Sequence, residues 1–152
     1  MIKNELFLGL AVAIGTGSVI AIQTAFLSRA GASAGAVRGG LLTTMTGALL
    51  AAVILFIFWR QNPSNWQWST STWLALILGG ILGTAALVGI SYSAQRVGIT
   101  AALASILLGQ MLVSVVIDAR GLGSTVAIPF SGERLLGMLL LGGGVYLLLF
   151  RQ

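Results

Sequence analysis

Gln110, Ser114 and Asp118 stand four residues apart in the apolar run Gly109-Gln110-Met111-Leu112-Val113-Ser114-Val115-Val116-Ile117-Asp118. On a helix, residues four apart share one face, so these three form a polar ladder whose rungs are an amide, a hydroxyl and a carboxylate. Such a ladder could hydrogen-bond a small polar solute, or relay a proton if the carboxylate titrates within a membrane. Other chemistry is poorly represented. Cysteine and histidine are absent, which removes disulfides, thiol nucleophiles and His- or Cys-based metal sites. With no nucleophile beside a base, no metal cluster and no phosphate-cradling loop, the sequence predicts a protein that is not an enzyme and uses no cofactor.

The elements that must position the ladder are set by composition. The 152 residues are 57% hydrophobic and 7% charged, against roughly 25% charged in a soluble domain. Apolar runs of this number and length would expose far more than the few hundred Å² of apolar patch a soluble monomer tolerates. The sequence therefore predicts an all-α integral membrane protein. Its net charge of +5 would raise nucleic-acid binding in a soluble domain, but the cations are scattered one or two per boundary between apolar segments. There they anchor at lipid headgroups, and no nucleic-acid partner is expected.

Five spans are predicted, over about residues 6–27, 37–59, 73–94, 99–117 and 135–150, in a single transmembrane domain covering 1–152. The first could be mistaken for a signal peptide ahead of Ala30-Gly31-Ala32, but Leu6 to Leu27 exceeds the roughly 7 to 15 residues of a signal h-region. The second ends in Phe56-Ile57-Phe58-Trp59-Arg60, an interfacial finish. Trp59, Trp66, Trp68 and Trp73 bracket one loop as an aromatic belt, with Pro63 in the turn. Asp118 to Phe130 reads as loop because of Gly121, Gly123 and Pro129. Ser131 is placed to cap the last helix, with Glu133 in its first turn.

An odd number of spans puts the termini on opposite sides. One side then receives Lys3, Arg60, Arg120 and Arg134; the other receives Arg29, Arg38, Arg96 and Arg151. Orientation follows an excess of Lys and Arg in short cytoplasmic loops, and these two sets are equal. Either the first helix or a displaced boundary decides the orientation, or copies insert both ways and pair antiparallel, supplying as two chains the inverted repeat that many transporters carry in one.

Small and polar residues mark the faces on which membrane helices meet. Gly9, Thr16 and Gln23 share one face of the first span; Gly80, Thr84, Ser91 and Gln95 follow one another along the third, with Tyr92 beside them and Gly79 and Gly83 as a small-xxx-small pair; Thr43 and Gly47 mark the second. A Ser or Thr in a membrane helix commonly bonds back to its own backbone, and glycine stripes are commonly packing seams. Glutamine differs, because an unpaired amide in hydrocarbon costs several kcal/mol. Gln23 and Gln110 therefore need a partner helix or a wet cavity, with Thr16, Thr84, Ser91, Tyr92 and Ser114 as further lining of a solute path. Tyr92 and Gln95 lie near a helix end, where interface anchoring also fits. Asp118, at the end of its span, suits an ion pair or cap with Arg120 or Arg134; substrate or proton handling is the other reading.

Gly109-Gln110 with Ile117-Asp118, then Pro129 and Ser131-Gly132-Glu133-Arg134-Leu135-Leu136-Gly137 with Gly144-Val145 beyond, resembles the C-terminal half of the small five-helix branch of the drug/metabolite transporter superfamily. Arg96-Val97-Gly98 and Gln23 extend the resemblance over most of the chain. Family members commonly carry an Asn shortly after that first Gln, and Gln23-Thr24-Ala25-Phe26-Leu27 has none.

The resemblance implies a half-size secondary transporter of the bacterial-type inner (plasma) membrane. It implies an antiparallel homodimer of ten helices, and such a dimer is expected to carry a small-molecule solute by alternating access. Small multidrug exporters of the same superfamily exchange protons for organic cations through a first-helix Glu. This chain has none there, so a neutral, zwitterionic or anionic solute fits better. A passive channel for a small solute or ion, or a structural subunit of a membrane complex, are the alternatives; a homologous second chain could also take the place of the second copy. Reporter fusions at the C-terminus should reveal both cytoplasmic and periplasmic populations, biased by one added Lys near either end; a single fixed orientation defeats the dual topology.

Overall fold

In the computed structural model the chain is described over residues 2–61, 69–121 and 129–150, with the side chains of 2–6, 61 and 150 left aside. Trp66, Trp68, Pro63, Gly123 and Arg151, and the side chains of Lys3 and Glu5, lie outside the described residues. The described residues form five helices: α1 (Ile2–Ala34), α2 (Ala36–Gln61), α3 (Thr70–Val97), α4 (Ile99–Arg120) and α5 (Gly132–Phe150). All five are long and apolar enough to cross a bilayer.

The helices outrun the apolar spans read from the sequence. α1 has 33 residues, about 50 Å at 1.5 Å per residue, and α4 continues through Asp118 to Arg120. The reason is physical: hydropathy marks the part of a helix that hydrocarbon contacts, while the backbone keeps its hydrogen bonds into the headgroup region until a cap or glycine ends it. Ser69 starts α3, its Oγ accepting from the Thr72 N–H at 3.3 Å. Ser131 starts α5 in the same way, accepting from the Arg134 N–H at 3.4 Å. Gly121 closes α4 in the left-handed region (φ 61°), donating its N–H to the Asp118 carbonyl at 3.2 Å.

The chain divides into two compact units, Met1–Gln95 and Arg96–Gln152. In the first, Gly35 alone separates α1 from α2. Its φ of 89° is open to glycine and strained for other residues, and it turns the chain back so sharply that α1 and α2 lie against each other. They approach closely at Gly39, where an added Cβ would stand 3.0 Å from the Gly31 nitrogen. α3 joins the pair through Val88 and Ser91. A Cβ on Gly40 would fall 2.7 Å from Val88 Cγ2 and 2.9 Å from its Cα. Thr24, Leu27, Ser91 and Ala94 are buried around this knot.

Away from the knot the first unit is uncovered. Residues 7–20 of α1, 45–60 of α2 and 70–83 of α3 are exposed throughout. Gly9, Gly47, Gly79, Gly80 and Gly83, which their spacing marks as packing faces, meet no heavy atom within 4 Å of an added Cβ. Spacing identifies a face; it does not say at what depth the face is used, or that its partner lies in the same chain. In the second unit α4 and α5 lie against each other, with Met138 and Val145 buried and an added Gly142 Cβ in ordinary contact with Leu108 Cδ2 at 4.0 Å.

These two classes of glycine predict opposite responses. Gly40→Ala should force α2 from the α3 backbone and cost about 1–3 kcal/mol. Gly47→Ala, in open space, should be neutral or stabilise by up to about 1 kcal/mol. Denaturant titration in detergent checks both, and an equal loss at the two positions would contradict the close approach of Gly40 to Val88.

Candidate functional site

Among the described residues, the uncharged polar side chains of the predicted site fall into three groups according to how they are satisfied. Hydroxyls bond back to their own helix. Thr16 Oγ1 donates to the Val12 carbonyl at 2.9 Å, Thr84 Oγ1 to Gly80 at 2.9 Å, Thr24 Oγ1 to Ile20 at 2.8 Å and Ser114 Oγ to Met111 at 3.1 Å. Each hydroxyl keeps lone pairs free to accept, but its donor is already used, so Thr16 and Ser114, both exposed, can meet a solute only as acceptors without rearrangement. Thr84 is half-buried.

A second group is tied inside the first unit. Ser91 is fully buried and its Oγ reaches across to the Leu27 carbonyl of α1 at 3.5 Å. Gln95 Nε2 donates to the Ser91 carbonyl at 2.8 Å and to Ser91 Oγ at 3.2 Å. Gly31 makes this possible: an added Cβ there would collide with Gln95 Nε2 and Ser91 Oγ. Ser91 thus acts within the helix knot, while Tyr92, the next residue, is exposed and lies on another face. Gly31, Gly39 and Gly40 were the residues that periodicity missed. The signal was present in the density of glycines at 31, 35, 39 and 40, but that stretch straddles the predicted boundary between spans.

The third group is made of Gln23 and Gln110. Both are exposed on their helices, and among the described residues neither amide forms a hydrogen bond. Gln23 follows Thr16 by two turns on an open side of α1, beside the buried Thr24. On α4, Leu107, Gln110, Val113, Ser114 and Ile117 are all exposed, whereas Leu108, Met111, Val115 and Asp118 are half-buried. Gln110 and Asp118, rungs of one ladder by spacing, therefore differ in their surroundings.

Asp118 Oδ2 accepts from Arg134 Nη1 at 3.4 Å, joining the end of α4 to the first turn of α5. Arg120 is exposed beyond it. The Gly121 cap fixes the last turn that carries the carboxylate, and the Ser131 cap fixes the first turn that carries the guanidinium. The two side chains retain 31% and 36% of their exposure, so the pair contributes at most about 1 kcal/mol. Among the described residues, no cluster of three carboxylates could hold a metal.

The family described as "Putative inner membrane exporter, YdcZ" (DMT_YdcZ) matches residues 8–147, nearly the whole chain. No match was found among curated proteins or among solved structures.

The ion pair predicts a mild phenotype. Asp118→Asn should lower stability by less than about 1 kcal/mol and leave solute transport within about twofold of the original; loss of transport in a folded Asp118→Asn protein would return this carboxylate to the transport pathway.

Proposed function

Because the chain belongs to the inner membrane exporter family DMT_YdcZ, we propose that two inverted copies form an antiparallel dimer that exports a small polar solute by alternating access. The chain is a multi-pass inner membrane protein, and the observation that carries the proposal is the placement of Gln23 and Gln110. Each sits on a membrane-spanning helix with its amide turned outward and without a hydrogen bond among the described residues. Lipid tails cannot satisfy an amide, and the cost of leaving one unpaired is several kcal/mol. A second copy and a wet interior supply what the protomer lacks.

In this reading Gln23 and Gln110 touch the solute, each offering two N–H donors and a carbonyl acceptor, with Thr16, Thr84 and Ser114 adding hydroxyl acceptors. Such a lining carries no fixed charge. It suits a neutral or zwitterionic solute, and an anion can be held by the amide donors. The equal division of cations between the two sides supports inversion, and the open halves of α1, α2 and α3 leave surface against which a second copy can move. Rocking of the two copies about a central site would then expose it alternately to each side.

Counterflow in liposomes, with a panel of labelled small metabolites, tests the function. A saturable, counterflow-competent substrate is expected, and Gln23→Leu with Gln110→Leu should lower its transport at least tenfold while the dimer is kept assembled at high protein density. Flux without saturation or counterflow would make the protein a channel, and unchanged transport in the double variant would remove the amides from the pathway.

A further inference from the structure

Gln110 lies within one residue of the midpoint of α4 (Ile99–Arg120). A helix of 22 residues is about 33 Å long, close to the roughly 30 Å hydrocarbon thickness of a bilayer, so Gln110 stands near the membrane mid-plane. There its amide is as far from water and headgroups as any group on α4 can be. It has no back-bond of the kind that satisfies Ser114 four residues on, and its face of α4 is exposed from Leu107 to Ile117.

An in-plane two-fold axis relating inverted copies has one consequence for α4: only residues near the helix midpoint can meet their own counterpart. A residue displaced from the midpoint is carried to the opposite side of the membrane in the other copy, by about 3 Å of separation per residue of displacement. Gln110 is the polar side chain at that position, and a primary amide is self-complementary. Its N–H can donate to the other amide's carbonyl while its own carbonyl accepts in return.

We infer that Gln110 pairs with Gln110 of a second, inverted copy of the chain through two reciprocal amide hydrogen bonds at the membrane mid-plane. The inference rests on the antiparallel reading given above and names the contact at which the two copies register. It also narrows the solute: a molecule that enters between the amides must replace both bonds, and so must carry a donor and an acceptor side by side.

The chain contains no cysteine, so introduced cysteines report without background. A disulfide needs Cα atoms within roughly 7 Å. Gln110→Cys should cross-link to itself on mild oxidation of membranes. Leu103→Cys and Ile117→Cys lie seven residues to either side on the same face, and in inverted copies each stands about 21 Å from its own counterpart. Neither should self-cross-link, but the two variants co-expressed should cross-link to each other. Gln110→Leu, which keeps the bulk and removes the amide, should weaken the dimer in detergent about tenfold.

Self-cross-linking of Leu103→Cys or Ile117→Cys would mean parallel pairing and would overturn the antiparallel reading together with this contact. Cross-linking between the mixed variants without self-cross-linking at 110, or a Gln110→Leu dimer of undiminished affinity, would leave the antiparallel dimer standing and overturn the amide pair alone.

Discussion

Hydrocarbon offers no hydrogen bonds, and that constraint sorts the described polar residues of the membrane-spanning helices. A hydroxyl can comply within its own helix, because its short side chain reaches the carbonyl one turn back. Thr16, Ser18, Thr24, Thr44, Thr84, Ser93 and Ser105 all do so, at 2.8 to 3.1 Å. Such residues cost the membrane little and can occupy any face. Gln95 complies as well, its Nε2 donating to the Ser91 carbonyl one turn back at 2.8 Å and to Ser91 Oγ at 3.2 Å. Gln23 and Gln110 form no such bond among the described residues, and their environment is what the proposed dimer would supply.

How much of this was legible in the sequence follows from the same physics. The number of helices and their order are written in hydropathy, since the bilayer imposes one length and one composition on each span. Helix ends are less legible: α4 carries Asp118 inside its last turn, and α5 begins at Gly132, because caps and glycines, not apolarity, stop a membrane helix. The Ser131 cap was readable because it is a local pattern of residue type and position. The knot at Gly31, Gly39, Gly40, Val88 and Ser91 was not, because its glycines straddle the predicted boundary between two spans and meet Val88 and Ser91 from far along the sequence.

The ladder of Gln110, Ser114 and Asp118 shows what spacing alone leaves open. Four-residue spacing correctly places three residues along one side of a helix, but it says nothing of what lies opposite each rung. At the lower rungs the side chains face away from the α4 surface that is half-buried. At the other end, in the last turn of α4, Asp118 meets Arg134. The carboxylate there has a guanidinium 3.4 Å away, a partner within the chain. The Gln110 amide has no such partner among the described residues.

Magnitudes then decide what the amides can do in the proposed dimer. Desolvation arguments set the cost of an orphaned amide at several kcal/mol, yet measured side-chain hydrogen bonds between membrane helices average only about 0.6 kcal/mol, because the dissociated chains find other partners. Two reciprocal bonds at Gln110 therefore supply on the order of 1–2 kcal/mol, too little to hold two chains together. The remainder has to come from close contact over area, and the open glycines at 9, 47, 79, 80 and 83 are where backbones can approach without obstruction. Glycine contacts are cheap to slide along, since one small residue resembles the next, whereas a pair of amides bonds in one register only. On that division of labour the glycine faces would give the proposed dimer its affinity and its freedom to rock, and the amides would fix the point about which it rocks.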